Sequence, residues 1–364
     1  MLRVLVISDF RHAHAARPEA EIFLALHRAG LEVEVMTPDE DEYAHRFRDQ
    51  GMAVHDFRPR RKFTWRDVRT IRQRLVAGGH RILHVLSRNA MTSAIIAARG
   101  LPVAVVLYRG ASRGIRWYDP LAYFKYLHPR VDAIVCNTQG SAWAFGWQPF
   151  FDSTKVTVIP KGHDPVWYEH VIPADLSALG IAPGTPAVAC VANVRRVKGV
   201  PVLLEAIRQL PAAQEIHFLL IERGMDDVVK AARLAPADRR HVHVIGFTSD
   251  PLPWVAACDV FVLPSLSSEA LTKSVLEAMS LGVTPVITDL PGNAALVEHG
   301  VSGWKVPPGN AAALAEALVR VCGDPELCTK VANQARQRVA TQFHHAATVT
   351  QISALYRRLA NRDS

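Results

Sequence analysis

VFVLPSLSSEALTKSVLEAMSLGVTPVITDLPGN, residues 260–293, holds a strand, a polar loop, a helix and a second strand in one passage. The run 260–263 is apolar at every position, and 284–288 sets Pro285, Val286 and Ile287 between two threonines, a pattern that suits strands covered on both faces by helices. Between them the loop 264–272 leads into a helical stretch that carries Glu277, with Glu269 at the loop-to-helix junction. A carboxylate placed there, together with the backbone N–H groups of Ala270, Leu271 and Thr272, can face one ligand near the positive end of a helix. Such a site suits a polyol that bears phosphate.

The same alternation of apolar runs and helical patterns extends over the whole chain, which predicts an α/β fold of parallel sheets with crossover helices. In the first half the predicted strands are 3–8, 32–37, 81–86, 103–108, 133–137 and 155–159, with a helix over 19–29 that stops at Gly30. A second series, 187–192, 216–221, 243–246, 260–263, 284–288 and 303–306, repeats that architecture. Prolines and glycines interrupt the periodicity across 160–186, so the predicted domains are 1–165 and 166–345. Helices follow at 311–322, 325–342 and 346–361, and periodicity does not set the destination of the last. Two doubly wound domains in tandem would set the carboxyl ends of their sheets around a central cleft, so functional residues are expected in loops after strands.

Of the 364 residues, 49% are hydrophobic and 21% charged, a composition able to bury two cores. Residues 1–8 form an apolar run too short for a secretion signal or for the roughly 20 apolar residues of a membrane span, so a cytoplasmic protein is expected. The five cysteines include no C-x-x-C pair and read as reduced core residues. The 16 histidines are dispersed apart from 12/14, 241/243 and 344/345, so neither a metal nor a cofactor is expected. The net charge of +8 favours an acidic partner. Basic residues crowd into RPRRKFTWRDVRTIRQR, 58–74, where a helix from Trp65 carries Arg66, Arg69, Arg72 and Arg74 among Val68, Ile71 and Leu75. A solvated helix face and a face turned to phosphate or to an anionic membrane are both open readings. Nucleic acid is not an expected partner, since no strand interleaves basic and aromatic residues and no DNA-reading motif is present.

Glu277 lies eight residues after Glu269 and can accept two hydrogen bonds from a vicinal diol such as a ribose. On a helical wheel Val275, Leu276 and Met279 share one face and Glu277 falls with Lys273 and Ser280 on another, so a surface ion pair with Lys273 is the competing reading. A second constellation, VACVANVRRVKGVPVLLEAI at 188–207, ends a strand at Ala192 and presents Arg195, Arg196 and Lys198 before Gly199 opens a helix. Cations between a strand's carboxyl end and a helix N-terminus form a diphosphate site, although basic loops are also commonly just solvated.

With Pro264-Ser265, Glu269, Leu276-Glu277-Ala278-Met279 and Gly282, the segment resembles the signature of retaining glycosyltransferase family 4, the group 1 transferases of the GT-B fold. The resemblance implies that Glu269 contacts the donor-sugar hydroxyls and Glu277 the ribose. Lys198-Gly199 matches the Lys-Gly that holds the donor diphosphate in that family. Its usual arginine five residues earlier is Asn193 here, so Arg195 or Arg196 would supply the second cation, and we favour Arg195. Asn193, Arg196 and Lys273 complete the expected donor set. GFTSDPLPWVAACDVFVLPS, 246–265, resembles the family's Gly-Phe loop and puts Gly246 and Phe247 near the base, while LIERG at 220–224 replaces the usual Gly-x-Gly. Pro291–Asn293, opening a helix over 293–299, reads as a plain turn or as a place for the Gly292 amide near phosphate.

The amino-terminal half departs further from the family. SDFRHAHAARPEAE, 8–21, has no glycine where the family carries a Gly-Gly loop, so Arg11, His12 and Arg17 either substitute for it or are exposed loop residues. Tyr108-Arg109-Gly110 puts Arg109 where the family often has a histidine beside the donor sugar. Residues 110–140 resemble the acceptor-side loop and following strand, and KVTVIPKGHDPVWY, 155–168, resembles the interdomain junction. The C-terminal helix, about 346–364, is expected to pack back on the first domain.

Taken together, the resemblance implies a retaining, metal-independent glycosyltransferase. It would move a sugar from a nucleoside-diphosphate-sugar to a hydroxyl on an envelope lipopolysaccharide, glycolipid or polysaccharide intermediate, with peripheral contact to the inner face of the plasma membrane through 58–74. The alternatives are another GT-B enzyme, such as a sugar-nucleotide epimerase, and a non-catalytic nucleotide-sugar-binding scaffold.

Overall fold

Near-continuous apolar strands can be buried only if helices cover both faces of their sheet, and both halves of the chain are built that way. The computed structural model describes residues 1–10, 13–110, 115, 118–146, 148, 151–267 and 271–361, without the side chains of 13–15. Contacts divide the chain into two units, Met1–Gly162 with His345–Ser364, and His163–His344.

In the first unit the strands are β1 Arg3–Ile7, β2 Glu32–Thr37, β3 Ala53–Asp56, β4 Ile82–Val85, β5 Ala104–Arg109, β6 Ala133–Cys136 and β7 Val156–Val158. Its helices are α1 Ala13–Arg28, α2 Glu42–Asp49, α3 Trp65–Gly78, α4 Met91–Ala97, α5 Pro120–Tyr123 and α6 Gln139–Trp143. Among the described residues the seven strands pair in the order β3-β2-β1-β4-β5-β6-β7, every pair parallel. Val4 and Val6 pack on one side of the sheet with Phe23 of α1, while Leu5 and Ile7 pack on the other with Ile71 and Leu75 of α3.

The second unit holds β8 Ala187–Val191, β9 His217–Ile221, β10 Val242–Gly246, β11 Val260–Leu263, β12 Thr284–Thr288 and β13 Trp304–Val306. Its helices are α7 Val200–Arg208, α8 Met225–Ala232, α9 Pro236–Arg239, α10 Leu252–Ala256, α11 Lys273–Ser280, α12 Ala311–Cys322 and α13 Pro325–Gln342. Their sheet runs β10-β9-β8-β11-β12-β13, the doubly wound arrangement in which the order of strand addition reverses beside the first strand. The predicted α/β fold of two doubly wound parallel sheets is therefore the observed one.

Element ends follow from capping. Asn310 accepts from Ala313 N–H at 3.0 Å ahead of α12, and Asp324 from Leu327 N–H at 2.9 Å ahead of α13, which then opens on Pro325. The helix read at 19–29 begins at Ala13 and contains Pro18, because Ala20, Phe23 and Leu24 bury that helix against the sheet and packing outweighs the proline penalty. The unpredicted β3 is an edge strand with half-exposed and exposed residues, so its apolar period is faint. All five cysteines are buried free thiols. Among the described residues no helix is long and apolar enough to cross a membrane.

The last helix, α14 His345–Ala360, lies in the first unit, where Ile352, Leu355, Tyr356 and Leu359 join the core beside α1. His84 Nδ1 and the Tyr356 hydroxyl share a hydrogen bond of 2.6 Å at the bottom of this contact. Burial, reinforced by the charge of Lys161, pulls the His84 imidazole down to about 3, so it is neutral when folded. Because the unfolded chain protonates this ring near its ordinary value of about 6.5, stability is complete above that pH and falls progressively toward pH 3. About 2 kcal/mol should be lost between pH 7 and pH 5. Thermal unfolding of the wild type and of His84→Gln across that range checks the effect, since only the wild type should carry this part of the acid loss.

Candidate functional site

In the second unit the strand order reverses between β8 and β11, which are parallel neighbours with Val188 paired to Val260 and Ala189 to Phe261. Ligands of open α/β sheets bind in the crevice at such a switch point, beyond the carboxyl ends of the strands. The loops leaving these two strands are the two constellations singled out in the sequence, and they touch. Leu266 N–H donates to the Val197 carbonyl at 2.8 Å. Gly199 has a φ of +67°, and a Cβ built on it would lie 1.9 Å from the Pro264 carbonyl oxygen. Only glycine satisfies both the left-handed backbone and that approach.

Lys198 closes the 3₁₀ turn Arg196–Lys198 and is half-buried, ahead of α7 with its Pro201 in the first turn. Burial pushes the Cys190 thiol at the end of β8 up to about 12 against the opposing pull of the Lys198 charge, which places that charge beside the strand end. Arg195, Arg196 and Asn193 are exposed, and Arg195 Nε donates to Asn193 Oδ1 at 2.9 Å. The two candidate arginines thus differ in engagement, Arg195 being held by the residue that stands in the family's arginine position.

On the other side of the crevice α11 starts at Lys273, with Thr272 as its N-cap. Leu271 and Thr272, two of the three residues whose amides were expected to face a ligand, therefore stand ahead of the first helical residue. Glu269 and Ala270 lie outside the described residues, and Leu271 is half-buried. The Thr272 hydroxyl does not cap the helix but donates to Asn293 Oδ1 at 2.8 Å. Glu277 pairs with Lys273 at 2.6 Å, as one of the two readings has it, yet it is no surface residue, being only 5% exposed. The helical wheel misplaced it because α11 is covered on several sides, by α10, α13, β11 and β12. An ion pair held in such a position is a fixed charge rather than a fluctuating surface contact.

Residues after β12 complete this end of the sheet. Thr288 Oγ1 donates to the Ser265 carbonyl at 2.7 Å, which ties the end of β12 to the loop after β11, and Asn293 is fully buried. The sequence reading missed Thr288, although it sits at a strand's carboxyl end, where functional residues were expected. Residues 291–296 are turns and not the start of the helix expected over 293–299. A seven-residue segment gains little from helix formation alone, and its end is drawn into the bridge between His299 and Gly303. Gly246 ends β10 with a φ of +79°, and the exposed Phe247 that follows carries the Arg223 guanidinium 5.1 Å from its ring centroid.

Of the acceptor-side candidates, Arg11 and His12 lie outside the described residues. Arg17 belongs to α1 and not to a loop. Arg109 is the last residue of β5 instead of the first loop residue, because the strand runs one residue further than its apolar pattern. It is buried, with its guanidinium 4.9 Å from the Tyr126 ring centroid and 5.6 Å from that of Phe145. Burial lowers its pKa, against the opposing pull of Tyr126. Among the described residues no group of three His, Cys, Asp or Glu side chains is arranged to hold a metal ion.

Residues 185–324 match the family described as glycosyl transferases group 1, and residues 20–167 match glycosyltransferase family 4. The chain is 29% identical over 248 residues to the lipopolysaccharide core biosynthesis glycosyltransferase LpsE of Rhizobium meliloti, an alignment covering 66% of this chain and 68% of LpsE. It is 30% identical over 179 residues to the amylovoran biosynthesis glycosyltransferase AmsK of Erwinia amylovora, covering 47% of this chain and 44% of AmsK. A crystal structure of Anabaena HepE in complex with UDP is similar with a TM-score of 0.77 at 20% identity, over 98% of this chain and 99% of that one.

Proposed function

Because the chain belongs to the group 1, family 4 glycosyltransferases and has two doubly wound domains of the GT-B type, we propose that it transfers a sugar from a nucleoside-diphosphate-sugar to a hydroxyl acceptor, with retention and without a metal. The observation that carries this reading is the junction of the Lys198 loop with the loop after β11 at the switch point of the second sheet, held by the Leu266–Val197 hydrogen bond. In it Lys198, with Arg195 or Arg196, offsets the charge that develops on the leaving diphosphate, and the N-terminus of α7 adds to the same field. Glu269 positions the donor sugar, and Glu277, fixed by Lys273, accepts from the ribose hydroxyls. Gly246 and Phe247 border the base.

LpsE, named for lipopolysaccharide core biosynthesis, and AmsK, named for amylovoran biosynthesis, support an envelope glycan or glycolipid as the acceptor. HepE, whose structure is a complex with UDP, supports a nucleoside diphosphate as the donor's leaving group. Work at the cytoplasmic face of a membrane fits the exposed Arg66, Arg69, Arg72 and Arg74 of α3, whose Val68, Ile71 and Leu75 are buried.

Thermal unfolding in the presence of UDP, GDP or ADP tests this function together with incubation against labelled sugar nucleotides. One diphosphate should raise the melting temperature, since a ligand at a hundred times its Kd stabilises the native state by about 2.7 kcal/mol. The matching sugar nucleotide should be slowly hydrolysed when no acceptor is present. Binding without any hydrolysis or transfer would favour the scaffold, and absence of both would overturn the assignment.

A further inference from the structure

The first unit contains a cavity of about 910 Å³ with an unusual charge balance. Lys62, Arg88, Arg109 and Lys125 all line it, and Asp119 is the one carboxylate among the described lining residues. That carboxylate is engaged at the start of α5, where Oδ1 accepts from Leu121 N–H at 3.0 Å. Among the described residues none of Lys62, Arg88 and Lys125 is ion-paired with an acid. Their charges act on one another: the Lys125 ammonium lies below its ordinary pKa through burial first, then through the positive charges of Arg88 and Lys62. The Arg88 charge likewise opposes that of Arg109, behind the effect of burial. Gathering like charges around a concave, partly apolar space opposes folding, and a bound anion reverses the sign of that term.

The cavity's other feature is its apolar wall and rim. Phe63, Leu121 and Phe124 line it and yet are 37%, 63% and 57% exposed. Large apolar side chains left in water around a cationic pocket present two kinds of surface to one ligand. A free sugar phosphate would use only the cations, and a neutral glycan would use neither well.

We propose that this cavity binds the acceptor as a phosphorylated amphiphile, its phosphate or diphosphate held by Lys62, Arg88 and Lys125 and its hydrocarbon portion lying on Phe63, Leu121 and Phe124. The assignment of the bound molecule as acceptor rests on the transferase function proposed above. The position of the cavity fits that role: Leu86 and Arg88 follow β4, and Arg109 ends β5 with Gly110 after it, both at the carboxyl edge of the first sheet. Arg88 was within reach of the sequence, since it stands three residues beyond β4 in the kind of loop where functional groups were expected.

The test is direct binding to the full chain, with dodecyl phosphate as probe and inorganic phosphate and dodecyl maltoside as the two partial ligands. Wild type should bind dodecyl phosphate at least tenfold more tightly than either. Arg88→Ala combined with Lys125→Ala should weaken dodecyl phosphate binding at least tenfold, whereas Arg357→Ala with Arg358→Ala, removing two exposed charges of α14, should leave it within twofold. Circular dichroism spectra and melting temperatures of the ligand-free proteins, unchanged from wild type, show that the variants are folded. Inorganic phosphate binding as tightly as dodecyl phosphate would remove the lipid part of the proposal, and equal binding of dodecyl maltoside would remove the phosphate part. Undiminished binding in the Arg88/Lys125 variant would overturn the site. No turnover is measured, so the cavity assignment can fail while sugar transfer stands, and sugar transfer can fail while the cavity assignment stands.

Discussion

Gly199→Ala is expected to destabilise the second unit by about 4 kcal/mol or more and to abolish its response to nucleoside diphosphate. Two penalties combine at this position. The backbone sits at a φ of +67°, which by itself costs an alanine about 1–2 kcal/mol. The new methyl would also lie 1.9 Å from the Pro264 carbonyl oxygen and 2.9 Å from its carbon, and neither atom is the end of a flexible side chain. Relief requires the loops after β8 and β11 to separate, which breaks the Leu266–Val197 hydrogen bond and disperses the residues assigned to the donor. Gly246→Ala is the matched control: its φ of +79° carries the same backbone penalty, but nothing lies within 4 Å of the added carbon. Melting temperatures of the two variants, with and without the diphosphate, separate the terms. Equal stability of the two would show that the approach of Gly199 to Pro264 does not constrain the site.

Lys198→Ala is expected to lower turnover by roughly 10²–10³-fold while acceptor binding and folding stay near wild type. The magnitude follows from the role proposed for the ammonium, which meets negative charge that grows as the bond to the diphosphate breaks, so its contribution is larger in the transition state than in the bound substrate. Lys198 is half-buried at the close of the turn ahead of α7, where charge is screened less than on an open surface. Arg195→Ala and Arg196→Ala should have smaller effects, since both side chains are exposed. Steady-state rates with the donor identified by thermal shift, measured beside acceptor binding, give the comparison. Undiminished turnover in Lys198→Ala would remove the lysine from the chemistry.

Legibility in the sequence followed the strength of local signals. The strands Glu32–Thr37, Val260–Leu263 and Thr284–Thr288 and the helices Ala311–Cys322 and Pro325–Gln342 stand at their predicted limits, because apolar runs and capping residues mark both ends. Where the signal was weak or opposed, packing decided. β3 has little apolar character, α1 contains a proline, and the turns at 291–296 occupy a stretch with helical composition.

The donor half of the candidate site was read from its motifs, since Lys198-Gly199 and Glu277 belong to short contiguous patterns whose chemistry depends on spacing along the chain. What those patterns could not determine was environment. Glu277 pairs with Lys273 in the manner of an ordinary helical i, i+4 contact, and only the elements packed over α11 turn that pair from a surface contact into a buried one.

The sequence by itself therefore determined the α/β class and the repeated doubly wound pattern, and singled out the loops after β8 and β11, because periodicity, capping and motif spacing are local properties of the chain. Tertiary structure alone decided that the loops after β8 and β11 meet at Gly199, since strands 72 residues apart in sequence become neighbours only through sheet order. It also brought Lys62, Arg88, Arg109 and Lys125 around one cavity, although they come from separate loops and elements. Burial and mutual charge depend on distances in space, and for residues so far apart along the chain those distances are set by how helices and strands pack.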